Sequence, residues 1–283
     1  MSLSSRHMLP SKARERLAGA LSSLPLPYHS NPSGPLIVMY HGIGGPDAVP
    51  VESLERQLAA LKARRRVVPL VDAVRLLGHP DANGLAAISF DDGYRDFAEL
   101  AVPVLSALQL HATLFVPSGW IGKTNVWDTG YATARAIMTG RELRQLDPSC
   151  VTVGAHGLTH RRLSRLDAST LYEETAVARK ILEDVCGRLV LLFAYPYGQA
   201  DDFDKSAESA VEAAGFLAAC STRFGRGSSP GERFRLRRVG IMPCDSIGVV
   251  ERKLDGGYDW LAWKERAGAQ LRGWRRLMAQ STA

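Results

Sequence analysis

Residues 88–93 read Ile-Ser-Phe-Asp-Asp-Gly, and the adjacent carboxylates of Asp91 and Asp92 follow directly on an apolar run. Neighbouring aspartates repel and Asp disfavours strands, so a strand end carrying both must expose them or supply a cation. Residues 156–160, His-Gly-Leu-Thr-His, put His156 and His160 at i and i+4. On a helical turn those positions share one face about 5–6 Å apart, within reach of one ion. Two imidazoles and one carboxylate make a three-ligand set with a coordination position left open, the arrangement of a hydrolytic rather than a structural metal site. One aspartate of the pair would complete that set. The other is then free to take a proton from metal-bound water, whose pKa zinc lowers towards about 7.

Such residues must be delivered by the ends of regular elements. Short apolar runs recur along the chain, at 36–40, 67–70, 85–90, 112–116, 151–155, 189–195, 216–220 and 234–241. Helical patterns follow several of them, at 53–64, 72–77, 94–110, 167–185 and 204–215. Alternation of this kind points to a parallel sheet, and continuous apolar runs point to strands covered on both faces. Seven or eight such strands favour a distorted (β/α) barrel, whose chemistry sits at the C-terminal edge of the strands. Four runs end in informative residues: Tyr40-His41-Gly42, Asp91-Asp92-Gly93, His156 and Pro196-Tyr197-Gly198. Taken singly, each has a blander explanation, since Asp and Gly suit turns. Their convergence on one rim is what carries the reading.

Composition excludes other classes. The 283 residues are 46% hydrophobic and 23% charged, an ordinary globular balance. No apolar run reaches the length of a membrane span, and the basic residues and prolines of the first thirty positions interrupt any signal-type stretch, so a cytoplasmic address is expected. The four cysteines lack a C-x-x-C pair and read as free thiols. A net charge of +6 favours anionic partners in general. No nucleic-acid module is visible, and no nucleic-acid partner is expected.

The quoted motifs resemble those of the polysaccharide deacetylases, the NodB-like carbohydrate esterase family 4. SFDDG is similar to the first motif of that family. HGLTH is similar to the second, with Gly157 where a hydroxyl residue is usual, and FAYPYG is similar to the third. The resemblance spans about residues 36 to 242. It implies a NodB-like α/β fold, a distorted barrel of about seven parallel strands, and metal-dependent hydrolysis of an acetyl group on an N-acetylated sugar. It puts Asp91 at the catalytic base, Asp92, His156 and His160 at the ligands of a divalent metal, expected to be zinc, and Tyr197 where a backbone N–H helps stabilise the oxyanion.

Two departures from that pattern matter. The third-motif arginine is Ala194 here, and no histidine follows His160, so the usual late general-acid motif is missing. Tyr40-His41 resembles the rearranged early "YH" of the poly-N-acetylglucosamine deacetylase subgroup, which makes His41 the expected general acid; an imidazole titrates near neutral pH and suits that task. For the missing arginine, Arg238 in Leu-Arg-Arg-Val-Gly is the expected substitute, with Arg237 close behind.

The outlying segments add two expectations. Residues 118–130 carry Trp120, Trp127 and Asp128, a loop that could wall a glycan or merely anchor itself. Residues 258–283 set Trp260, Trp263, Ala267, Leu271, Trp274 and Met278 on one helical stripe, with Lys264, Arg272, Arg275 and Arg276 off it. That is an amphipathic helix, which either packs on the barrel or makes peripheral membrane contact. The domain reading is therefore an N-terminal extension (1–34), the barrel (35–257) and this helix (258–283). The expected substrate is an N-acetylated glycan or lipid-linked sugar. A deformylase or small-amide hydrolase with the same site, and a non-catalytic glycan-binding barrel, are the alternatives.

Overall fold

The computed structural model describes residues 34–128 and 133–262. The expectations for the N-terminal extension, for Trp263, Ala267, Leu271, Trp274 and Met278 of the C-terminal stripe and for the basic residues off it lie outside them.

All strand pairings between named strands are parallel. In chain order the strands are β1 (Leu36–Tyr40), β2 (Arg66–Val67), β3 (Leu85–Phe90), β4 (Ala112–Val116), β5 (Val151–Ala155), β6 (Leu192–Ala194), β7 (Ala218–Phe224) and β8 (Leu236–Gly240). Their order is β1-β8-β7-β6-β5-β4-β3, and β1 also pairs with β3, with Leu36 beside Ala86 and Tyr40 beside Phe90. Seven strands thus close a barrel, with β2 attached outside β3. Closure is uneven: β5 meets β6 at one register pair, Ala155 with Phe193, and β7 slips its register against β8 between Cys220 and Phe224.

Strand alternation sorts the side chains into two cores. Val38, Tyr40, Ile88, Phe90, Leu114, Val116, Val151 and Val153 belong to a large outer cluster shared with the helices. Ile37, Ala87, Phe115, Leu192, Ala194, Ala218, Cys220 and Leu236 form a smaller inner cluster with Leu70, Ala73 and Val74 of the helix Leu70–Arg75. Small residues alternate with larger ones on the inner face, as the narrow lumen of a seven-stranded barrel requires. Gly154 is one of the small ones: a Cβ there would lie 2.6 Å from the Phe115 ring.

The same period of two carries on past the strand ends. Ile37, Met39 and His41 share a parity, as do Ala87, Ser89 and Asp91, and Thr152, Gly154 and His156. Backbone bonds extend the ladders one step further, from Asp91 N–H to Tyr40 C=O and from His156 N–H to Val116 C=O, both 3.0 Å. The sheet therefore holds Asp91 and His156, the first residues of two of the functional turns.

Several sequence boundaries shift. The run 67–70 contributes only a two-residue strand, because Pro69 cannot extend the ladder and caps the helix starting at Leu70. The run 216–220 becomes a strand from 218 to 224. Residues 156–160 do not form the expected helical turn; they are a loop in which Gly157 (φ +76°) and His160 (φ +58°) take left-handed backbone.

Candidate active site

Asp91 lies inside the barrel mouth, 1% exposed, facing Arg238, which is fully buried in β8. The guanidinium donates Nη1–H to Oδ1 and Nη2–H to Oδ2, both at 2.7 Å. This fork-to-fork geometry is the strongest common form of charge-assisted pair. Nε–H of Arg238 donates to Ser221 C=O at 2.8 Å, and a further Nη1 contact reaches the Ser89 hydroxyl at 3.2 Å. Burial alone would raise the Asp91 pKa; the Arg238 cation, with His156 and His41 adding to it, more than offsets burial and holds the carboxyl below the usual range. Arg237, its neighbour, points the other way, donating to Phe224 C=O and pairing with Glu232.

Asp92 turns away from Asp91 because its backbone is left-handed, φ +74°. Asp and Asn tolerate that region better than other non-glycine residues. Its Oδ1 sits 3.2 Å from His160 Nε2 and 3.5 Å from His156 Nε2. One ligand atom from each of Asp92, His156 and His160 lies within 4.8 Å of the others, and all three residues are buried. The two imidazoles meet edge to face with centroids 5.0 Å apart. The loop thus achieves by left-handed turns what a helical i, i+4 pair would have achieved by periodicity.

The chemistry of these donors fits a divalent cation. His156 Nδ1 lies 2.7 Å from Ala194 C=O, which can only accept, so the proton is on Nδ1 and the Nε2 lone pair is free to ligate. Burial, with His160 adding to it, pushes the His156 pKa down to about 4, so the ring is neutral at pH 7. His160 Nδ1 is buried and has no hydrogen-bond partner among the described residues. Trp127 stacks on His160 at 4.0 Å and Tyr197 approaches its edge at 5.1 Å.

The other expected residues surround this cluster. His41 is half-exposed, its Nε2 4.0 Å from Asp91 Oδ2. Tyr197 has φ +60°, and its C=O accepts from the Thr222 hydroxyl at 2.6 Å. Among the described residues its N–H has no acceptor. Arg162 lies 4.1 Å above the Tyr197 ring. Trp120 meets Trp127 edge-on and donates to Thr159 C=O at 3.2 Å, so the aromatic loop is fastened to the histidine loop. Asp128 accepts from Tyr94 at 3.1 Å and Asn125 at 3.0 Å. Tyr94 and Asn125 gave no signal in sequence, since neither belongs to a spaced motif.

Among the described residues, no helix is long and apolar enough to cross a membrane. The four cysteines are free thiols.

Comparisons with known proteins agree with this geometry. The family model described as polysaccharide deacetylase matches residues 79–219, which include Asp91, Asp92, His156 and His160. YxkH of Bacillus subtilis (strain 168), placed among the polysaccharide deacetylases, is 23% identical over 212 residues, 73% of this chain and 71% of that protein. The barrel is similar to the Streptococcus pyogenes deacetylase PplD in complex with acetate, with a TM-score of 0.67 and 19% identity over 79% of this chain and 99% of that one. It is also similar to IcaB from Ammonifex degensii, with a TM-score of 0.66 and 23% identity over 79% and 97% of the two chains. Residues 79–219 are a polysaccharide deacetylase domain, of a family of hydrolases.

Proposed function

We propose that this protein removes the acetyl group from an N-acetylated sugar of a glycan or glycan precursor, using a divalent cation, most simply zinc, held by Asp92, His156 and His160. The observation that carries the reading is the three-residue donor set beside a carboxylate held by a buried arginine. When bound, such a cation supplies a Lewis acid that acidifies water and polarises a carbonyl oxygen.

The chain's own residues divide the remaining work. Asp91, kept ionised and fixed in orientation by Arg238, accepts a proton from the water that adds to the acetyl carbon. The Tyr197 N–H is a donor for the carbonyl oxygen as it gains negative charge; removing one such donor typically costs about 3 kcal/mol of barrier. His41 then protonates the departing nitrogen, the C–N bond breaks, and acetate and an amine leave. His41 suits this step because it is half-exposed at the rim, on the open side of Asp91. Arg238 occupies in space the role left vacant at Ala194, and so acts as a positioning residue.

The test is acetate release from N-acetylglucosamine oligomers by zinc-loaded protein, with formate release from N-formylated analogues in parallel. Acetate from the wild type and none from Asp91→Asn is the expected result. Formate alone would move the reading to a deformylase, and tight glycan binding with neither acid would make the protein a binding module.

A further inference from the structure

The N–H groups of the loop joining His156 to His160 are held from outside the barrel by a buried carboxylate. The helical stretch from Ala168 to Cys186 contains a π turn at Glu173–Val177, a local irregularity often found beside functional sites. Glu174 in that turn is 2% exposed. Its Oε2 accepts from the Leu158 N–H at 2.8 Å and the Thr159 N–H at 3.0 Å, and its Oε1 accepts from the Thr159 hydroxyl in a short contact. Arg161 adds an ion pair at 3.4 Å from Oε1. Successive N–H groups aimed at one oxygen form an anion-binding concavity in the backbone.

This contact sets where His160 can be. Gly157 enters the loop with φ +76°, and a Cβ there would lie 2.9 Å from Glu174 Oε2, so the carboxylate fills the space a side chain at 157 would need. His156 has the Ala194 carbonyl to fix its ring. His160 has no such polar partner at Nδ1 among the described residues. Apart from the Trp127 stack, its height over the site follows the backbone of 157–159. The carbonyls of that backbone accept from the Ser118 and Gly119 N–H groups and from Trp120, while its N–H groups at 158 and 159 are both held by Glu174.

We propose that Glu174 is a positioning residue of the metal centre, acting as the acceptor that holds the second histidine on the ion. The inference rests on the reading that Asp92, His156 and His160 bind a divalent cation. What Glu174 contributes is acceptor geometry rather than charge at the ion, so an amide oxygen in the same place should serve nearly as well.

The experiment is competition for Zn2+ between metal-free protein and a chromophoric chelator, with a denaturant midpoint for each variant. Groups that orient metal ligands typically change affinity about tenfold to a hundredfold, and a loss of that size is expected for Glu174→Ala. Glu174→Gln should stay within about threefold of wild type, since its carbonyl still accepts both N–H groups. Glu183→Ala on the same helix, which removes the acceptor of Arg179 and of the Val190 N–H, should lower the midpoint and leave zinc binding unchanged. Should Glu174→Ala not fold, Gly157→Ala presses on the same contact and should weaken zinc by about tenfold. Wild-type affinity in Glu174→Ala, or in Gly157→Ala, would overturn the proposal, as would equal weakening in Glu183→Ala. A wild type that binds no zinc would instead remove the metal-site reading beneath it.

Discussion

Arg238 and Asp91, 147 positions apart in sequence, meet inside the barrel through two hydrogen bonds of 2.7 Å each. Both side chains are almost wholly inaccessible. The barrel thus carries an ion pair across its own lumen, and one partner of that pair is the proposed base.

Removing one side of a buried pair leaves the other charged and unpaired, which typically costs about 3–5 kcal/mol. Arg238→Met should lower the stability of the metal-free protein by that order in denaturant unfolding. Arg238→Lys keeps the charge and loses the fork, so it should cost less stability while still reducing turnover. A fully stable Arg238→Met protein would mean the pair is not formed.

The metal-free protein should lose stability in mild acid. His156 is held down to about 4 by burial, whereas unfolded histidine titrates near about 6.5. Below about pH 6.5 the unfolded chain takes up a proton that the folded chain refuses until about pH 4, so stability falls across that window by up to about 3 kcal/mol. Asp91 behaves oppositely in position: its lowered pKa keeps its contribution intact above the ordinary carboxylate value, to be lost only as the pH falls through the lower folded one. His111, also pushed down by burial, tilts the curve the same way. The readout is therefore the difference between wild type and His156→Gln, whose curve should be flatter between pH 6.5 and 4.

His41 is exposed enough that His41→Gln should leave unfolding and zinc stoichiometry unchanged. Loss of a general acid typically costs about a hundredfold to ten-thousandfold in rate, and kcat should fall by that order. An unchanged kcat would assign the proton on the leaving nitrogen to another group.

Gly154 has no room for a side chain: its Cβ would meet the Phe115 ring at 2.6 Å and Leu192 C=O at 3.1 Å. Gly154→Ala should destabilise the fold by about 1–3 kcal/mol, the usual range for overpacking, as measured by denaturant unfolding, without altering metal stoichiometry.

Much of this was legible because strand ends are punctuated by chemistry. Apolar runs located seven barrel strands, and Asp91-Asp92, His156, His41 and Tyr197 mark their rims. Arg238 could be nominated from its place in a late strand, but choosing it over Arg237 needs the parity of β8, which an apolar run covered on both faces does not display. The i, i+4 spacing at 156–160 fits a helical turn, but two left-handed residues, Gly157 and His160, supply the same proximity. Glu174 does carry a signal in the sequence. It sits on the stripe Leu171, Glu174, Thr175, Ala178, Leu182, all buried, and an acid on an apolar stripe needs an internal donor.

The most direct test of the metal centre is calorimetric titration of metal-free protein with Zn2+, for the wild type and for Asp92→Asn. Asn tolerates the left-handed backbone at position 92, so the variant keeps the fold and loses only the charged ligand. One ion per chain for the wild type and a loss of tight binding in Asp92→Asn is the predicted result. A wild type without a tight site, or an Asp92→Asn protein that binds just as well, would contradict the assignment.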